Sequence, residues 1–533
     1  MNNRLSALTA VLVLLPWSHA VGQARQRVDL LVSGGLVVDG TGTAGRRADV
    51  GVRGDRIVFI GNAARSRVTS AQTIDASGLV VAPGFIDPHT HTFDDLNSAE
   101  GRGNAGYLMQ GVTTVITGND GGGPLDAGAT LAAWNRDRIG TNAAILVGHG
   151  SVRRAVLGMS SAAPTAAQLD SMRSLVSQAM RGGALGMSTG LYYAPGSYAT
   201  TDEVIALARV AAQHGGIYDS HLRDESSYTI GLLAAVTEAI RIAREARIPV
   251  NISHIKALGT DVWGRSDSVI ALIQQALSQG LAVTADQYPY LASGTSIRAS
   301  LLPRWAEAGG PDSLRGRLAD SAMRARLVTE MTDNLRRRGG PESLLITSAR
   351  QDSSLIGKTL GAIATERGLP PIEAALAIIS RGGDASVASF NMSEDDVRNF
   401  MRQDFVSTGS DGSGGHPRKY GTFARKLRQY VFTEKLITLP FAIRASSSLT
   451  AANFGIQNRG TLRSGYFADI IVFDTATVAD SATYREPELL AAGMRHVIVN
   501  GIVAVKDGKV TDAMAGRALS RSKRNKALAK PRR

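Results

Sequence analysis

The sequence predicts an α/β fold: a (β/α)8 TIM-like barrel with a small β-sandwich domain formed by both termini. Three observations predict it. Eight short apolar segments recur through the middle of the chain with helical patterns between most of them. Strand-and-turn segments rich in Val, Ile and Gly stand at both ends. Several of the middle segments end in His or Asp, as expected of a barrel whose chemistry sits at the C-terminal ends of its strands.

In chain order, residues 1–24 read as a signal peptide: Arg4 gives a positive start, Leu5 to Leu15 an apolar run, and Ser18-His19-Ala20 or Gly22-Gln23-Ala24 a small-residue cleavage site. That run is shorter than the ~20 apolar residues of a spanning helix, so the expectation is an exported protein, periplasmic or secreted, with no stable membrane anchor. Residues 25–82 form the first part of the β-sandwich domain, in the segments Val28 to Val38, Ala48 to Ile60 and Thr73 to Val81. Residues 83–440 form the barrel. Its strand segments are Leu79 to Asp87, Thr113 to Gly118, Ala143 to Gly148, Leu185 to Thr189, Gly216 to Ser220, Pro249 to Ser253, Leu281 to Thr284 and Phe405 to Gly409. Helical patterns such as Thr201 to His214 and Ser227 to Ala246 separate them, the first opened by a capping box of Thr200 and Glu203. A helical insertion, about 303–400, divides the last two strands. Residues 441–515 return to the β-sandwich domain, and 516–533 are expected to be a basic disordered tail. An open doubly wound sheet is the alternative, since periodicity alone does not establish closure.

Composition excludes some functions. The chain has no cysteine, so disulfides and thiolate metal sites are absent and any metal must be held by imidazole and carboxylate. The net charge of +13 owes seven positive charges to Arg521 to Arg533, and removing them leaves +6. We therefore expect no nucleic-acid partner.

The chemistry centres on Asp87-Pro88-His89-Thr90-His91, where strand alternation puts Asp87, His89 and His91 on one face. Asp120 follows the second strand, His221 ends the fifth, His254 the sixth, and Asp411 follows the eighth. In a barrel these residues converge on one mouth, and their donors suit zinc, manganese or iron. His149 reads as a hydrogen-bonded supporting residue rather than a ligand. A divalent ion activates water for attack on an acyl bond, and a carboxylate beside it, Asp411, is suited to general acid/base work.

Taken together, His89-Thr90-His91, Gly111-Val112-Thr113-Thr114-Val115, Gly186-Met187-Ser188-Thr189-Gly190-Leu191-Tyr192-Tyr193, Ser220-His221-Leu222-Arg223-Asp224-Glu225, Ser253-His254-Ile255-Lys256 and His416-Pro417-Arg418 resemble the amidohydrolase superfamily. Within it they resemble the N-acyl-D-amino-acid deacylases (D-aminoacylases). The resemblance implies a zinc centre of one or two ions and hydrolysis of the amide bond of N-acyl-D-amino acids. It implies that His221 and His254 bind the tighter metal, His89 and His91 a second site, and that Asp411 is the acid/base. One departure stands out: the family's cysteine after the second strand is replaced by Asp120, a harder ligand able to bridge two ions. No lysine ends the fourth strand, so the carboxylated-lysine bridge of hydantoinase-like relatives has no counterpart.

Lys256, two residues after His254, and Arg418, in the loop after Asp411, are positioned for a substrate carboxylate. The resemblance suggests the same role, helped by Tyr288 and by Tyr192 or Tyr193. The expected partner is a small acylated amino acid or short peptide. The alternative enzymatic reading is a metallo-dipeptidase or cyclic amidase on the same centre, and the alternative of another class is a metal-free scaffold.

Overall fold

The computed structural model describes residues 26–380 and 384–521. Eight parallel strands surround one axis: β1 Phe85–Thr90, β2 Val112–Thr117, β3 Asn142–Ile145 with its continuation Val147–Gly148, β4 Gly186–Gly190, β5 Ile217–His221, β6 Val250–Ile252, β7 Val283–Gln287 and β8 Val406–Thr408. Two ladders make the ring, β1 to β3 and Val147–Gly148 through β4 to β8, which meet where the chain passes Leu146. The seam between β8 and β1 is a parallel bridge of Thr90 with Gly412, where the Asp411 amide donates to the His89 carbonyl at 2.9 Å. This seam sets Asp411 beside the two histidines of β1.

The helices outside the ring follow their sequence pattern. Leu232–Ala246 buries Leu232, Ala235, Val236, Ala239, Ile240, Ile242 and Ala243, the apolar stripe of a helix laid on a barrel. It starts at Leu232 rather than Ser227, because the Asp224 carboxylate accepts from the Ser226, Thr229 and Gly231 amides and holds that stretch as a turn. Helix Thr201–Gln213 is capped by the Thr200 hydroxyl accepting from the Glu203 amide. Glu203 does not complete a capping box. Its carboxylate takes His149 Nε2 at 3.0 Å and pairs with Arg153, both buried. Thr200→Ala is expected to cost about 1 kcal/mol of stability in a denaturant titration.

Both ends of the described chain meet in one nine-stranded sheet. Strand Val80–Pro83 lies between Arg27–Val37 and Ile470–Phe473, so the predicted first strand is split at Gly84 between this sheet and the barrel. A core of Val32, Val50, Ile57, Val81, Ile470 and Ile498 fills the fold of the sheet. The boundary at 441 is corrected: Leu439–Ala445 and Ser448–Phe454 are helices, and Ser446 accepts from the Ile86 amide of β1. The tail boundary at 516 is corrected as well, since Leu519 and Arg521 donate to Ala143 and Gly183 at the barrel's edge. Residues 1–24, read as a signal peptide, and 522–533 lie outside the described residues. No helix among the described residues is long and apolar enough to cross a membrane.

The insertion is not purely helical, and it begins before residue 303. Ala292–Ser296, Leu344–Ala349 and Ala385–Phe390 form a three-stranded antiparallel sheet beside the helices, around a separate core of Ile297, Leu301, Leu327, Met331, Ile346 and Val387. This sheet roofs the barrel mouth.

One buried group stands apart from the mouth. The Lys426 amine donates to Thr408 Oγ1 at 2.8 Å, with no carboxylate paired to it among the described residues, and burial lowers it to about 7. Unfolded, the amine titrates near 10.5. Between those values the unfolded chain binds a proton that the folded chain gives up, so stability rises with pH through this window. Lys426→Met is therefore expected to stabilise the protein by ~1–3 kcal/mol at pH 7, a gain that shrinks toward pH 10 in thermal melts.

Candidate metal centre

At the open end of the barrel, Asp120 sits among four imidazoles brought by three strands. Its Oδ1 lies 3.4 Å from His89 Nε2, 3.5 Å from His221 Nδ1 and 3.4 Å from His254 Nε2, and its Oδ2 lies 3.4 Å from His91 Nε2. Asp411 Oδ1 is 3.0 Å from His91 Nε2 and 3.7 Å from His89 Nε2. Two donor sets result, His89, His91, Asp120 and Asp411, and Asp120, His221 and His254, each with donor atoms within 4.8 Å of one another. Asp120 belongs to both.

Backbone geometry aims these groups. Asp120, His254 and Asp411 adopt φ of 54°, 34° and 49°, a left-handed conformation that costs side chains about 1–2 kcal/mol each and is held by the surrounding fold. Gly118, with φ of 85°, precedes Asp120 where a Cβ would strike the Leu146 carbonyl.

The donors are hungry for a cation. His89 Nε2 and Asp120 Oδ1 are buried without a hydrogen-bond partner. Burial lowers the basicity of His91, yet Asp120 and Asp411 raise it to about 9. Burial and Lys256 work against a proton on His254, but Glu225 and Asp120 raise it to about 10. The carboxylates thus draw positive charge to this point, and a divalent ion can replace the protons. Imidazole and carboxylate in these sets fit zinc, manganese or iron.

Beneath the donors lies a polar floor. Asn251 Nδ2 donates to Asp219 Oδ1 at 2.8 Å and Asp286 Oδ2 at 2.7 Å, Asn119 Nδ2 donates to Asp219 Oδ2 at 3.0 Å, and Asp286 Oδ1 accepts from the His254 amide at 3.0 Å. Asp87 accepts from the His89 and Ser410 amides at 3.1 and 3.0 Å. Burial pushes the Asp87 carboxyl up to about 7.

Residues 72–505 match the amidohydrolase family. The chain belongs to the amidohydrolase family. This amidohydrolase is 37% identical over 524 residues to a D-aminoacylase of Alcaligenes xylosoxydans xylosoxydans, covering 93% of this chain and 98% of that one. It is 34% identical over 503 residues to an N-acyl-D-glutamate deacylase of the same organism, covering 90% and 93%. Its fold superposes on the N-acyl-D-glutamate deacylase of Bordetella bronchiseptica, solved with zinc and a phosphonate mimic of the tetrahedral intermediate, with a TM-score of 0.79, 34% identity, and coverage of 93% and 100%.

Above the centre of this amidohydrolase opens a cavity of about 910 Å³. Lys256, Arg418, Tyr288, Tyr192 and Tyr193 all line it. Lys256 Nζ donates to Glu225 Oε1 at 2.7 Å and lies 2.7 Å from His254 Nδ1. Arg418 Nη1 pairs with Asp411 Oδ2 at 2.7 Å, while its Nε has no partner. Burial resists ionisation of Asp411, but Arg418 and His254 overcome it and hold the carboxyl far below its ordinary range. The Tyr288 ring lies 4.8 Å from the Arg418 guanidinium and 5.8 Å from Lys256 Nζ, with its hydroxyl unpartnered.

The Tyr192 hydroxyl is engaged within the protein. It donates to the Ala299 carbonyl at 2.8 Å and accepts from Arg338, tying the insertion to the barrel, so only the Tyr192 ring faces the cavity. Tyr193 keeps a 3.5 Å contact to Thr295 Oγ1. Arg223 does not pair with Asp224 or Glu225. It takes Glu238 at 2.8 Å, which frees Glu225 for Lys256 and His254. Asp87 does not join the ligand face but braces it from below. Sequence reasoning missed Glu225, Asp219, Asn251 and Asp286. Asp219 and Asn251 carried a signal, since each sits two or three residues before a ligating histidine, on the strand that delivers it.

Proposed function

We propose that this amidohydrolase cleaves the amide bond of N-acyl-D-amino acids at a zinc centre held by His89, His91, Asp120, His221 and His254. The observation that carries the reading is Asp120 within 3.5 Å of four imidazoles, with Asp411 beside them. When bound, zinc lowers the pKa of a water and polarises the acyl carbonyl. Asp411, whose Oδ1 lies 3.0 Å from His91 Nε2, would accept the proton of the attacking water and return it to the leaving nitrogen. Arg418 keeps Asp411 ionised and ready to accept. A further donor of Lys256, the Nε of Arg418 and the Tyr288 hydroxyl receive the substrate's carboxylate, which fixes the amide over the centre. Glu225 fixes the orientation of the His254 ring. The roof sheet covers part of the mouth, with Ser293, Thr295, Thr347 and Ser386 lining the cavity.

The expected substrate is a small acylated amino acid, with a short peptide as the wider possibility. The protein is exported, periplasmic or secreted. N-terminal sequencing of the mature protein should begin after Ala20 or Ala24, and a retained Met1 would reject export with cleavage. For the activity, zinc-loaded protein is given N-acetyl-D-leucine, N-acetyl-L-leucine, an L-dipeptide and a cyclic imide. Release of D-leucine with a strong D over L preference is the expected result. Preferential cleavage of the dipeptide or the imide would replace this reading with a dipeptidase or cyclic amidase.

A further inference from the structure

The cavity that Arg418 lines holds a second buried guanidinium that the mechanism does not use. Arg338 follows helix Ser321–Arg337 of the insertion and is 2% exposed, yet it lines the cavity. Its Nε donates to the Ser300 carbonyl at 3.1 Å and its Nη2 to the Tyr192 hydroxyl at 3.3 Å. Its Nη1 is buried and has no partner. Among the described residues it makes no ion pair, unlike the buried Arg153, Arg418 and Arg459, which each have a carboxylate.

A buried cation answered only by neutral acceptors is costly, and the cost is removed when a ligand supplies the anion. Arg338 lies near the reaction. Tyr192, which it bonds, has its ring 5.9 Å from the His221 ring and 5.6 Å from the Tyr228 ring. Tyr228 also lines the cavity, 5.8 Å from the Arg338 guanidinium, and its buried hydroxyl is unpartnered too. A guanidinium N–H and a phenol O–H without partners among the described residues, on two side chains that line the same cavity as the donor cluster, form a site for one carboxylate.

We propose that Arg338 and Tyr228 bind a second carboxylate of the substrate, in addition to the one held at Arg418 and Lys256. The inference rests on the deacylase reading and narrows it to diacidic substrates, with the second carboxylate carried by the amino-acid side chain or by the acyl group. A neutral substrate leaves Arg338 buried and uncompensated, so it is handled less well.

The test compares kcat/KM of the zinc-loaded protein for N-acetyl-D-glutamate, N-succinyl-D-leucine and N-acetyl-D-leucine. At least one diacidic substrate is expected to exceed N-acetyl-D-leucine by about tenfold or more. A gain for glutamate places the second carboxylate on the side chain, and a gain for the succinyl compound places it on the acyl group. In Arg338→Met the ratio of the preferred diacid to N-acetyl-D-leucine is expected to fall about 10²-fold, and Arg338→Lys should recover part of it. Tyr228→Phe, which loses only a hydroxyl, should lower the same ratio even where Arg338→Met fails to fold. Equal rates on all three substrates, or ratios unmoved in Tyr228→Phe and the Arg338 variants, overturn the proposal while leaving the deacylase reading intact. Absence of turnover on all three overturns the deacylase reading instead.

Discussion

Asp411→Asn is expected to lower kcat on an N-acyl-D-amino acid by about 10²- to 10⁴-fold, while the protein still binds zinc. The amide keeps the size of the side chain but has no basic oxygen for the proton. It also loses the ionic partner of Arg418, 2.7 Å away. The donor set of Asp120, His221 and His254 does not include Asp411, so at least that set should retain its ion. Steady-state kinetics beside elemental analysis checks both halves. A variant within tenfold of the parent would remove Asp411 from proton transfer, and a variant empty of zinc would make it chiefly a ligand.

The second large effect belongs to Asp120. Because its carboxylate is common to both donor sets, Asp120→Ala is expected to reduce bound zinc and to lower turnover by at least ~100-fold. Asp120→Cys is the informative companion. A thiolate is a good zinc donor, so this variant should regain much of the metal lost in Asp120→Ala. Zinc per chain measured after gel filtration separates these outcomes. If Asp120→Ala carries as much zinc as the parent, the carboxylate is an electrostatic neighbour of the histidines and no more.

The ligand residues were legible because each lies at or just past the end of an apolar segment, and the barrel delivers all such ends to one mouth. His89, His91, His221 and His254 need only the fold class to be placed together. The rest was hidden by longer-range effects. Asp219, Asn251 and Asp286 lie inside the ring, where alternation normally predicts apolar side chains. They are tolerated because they satisfy one another and the His254 amide. Glu225 is one charge in the run Arg223-Asp224-Glu225, and its partner Lys256 is 31 residues away on the next strand's end. The roof sheet was missed because Leu344–Ala349 and Ala385–Phe390 are short strands within strongly helical sequence and find their partners only across the insertion. The anchoring of Tyr192 is not legible either, because nothing in Gly190-Leu191-Tyr192-Tyr193 shows that its hydroxyl will reach the Ala299 carbonyl.

One cluster of imidazoles and carboxylates, with Asp120 common to both donor sets, makes this chain a zinc-dependent deacylase. The most direct test is a zinc titration of metal-stripped protein, following D-amino-acid release from the N-acyl-D-amino acid that turns over fastest. The account predicts negligible release without metal and a rise that saturates at one or two zinc ions per chain. Release that is the same before and after zinc is added, at metal contents near zero, would contradict it.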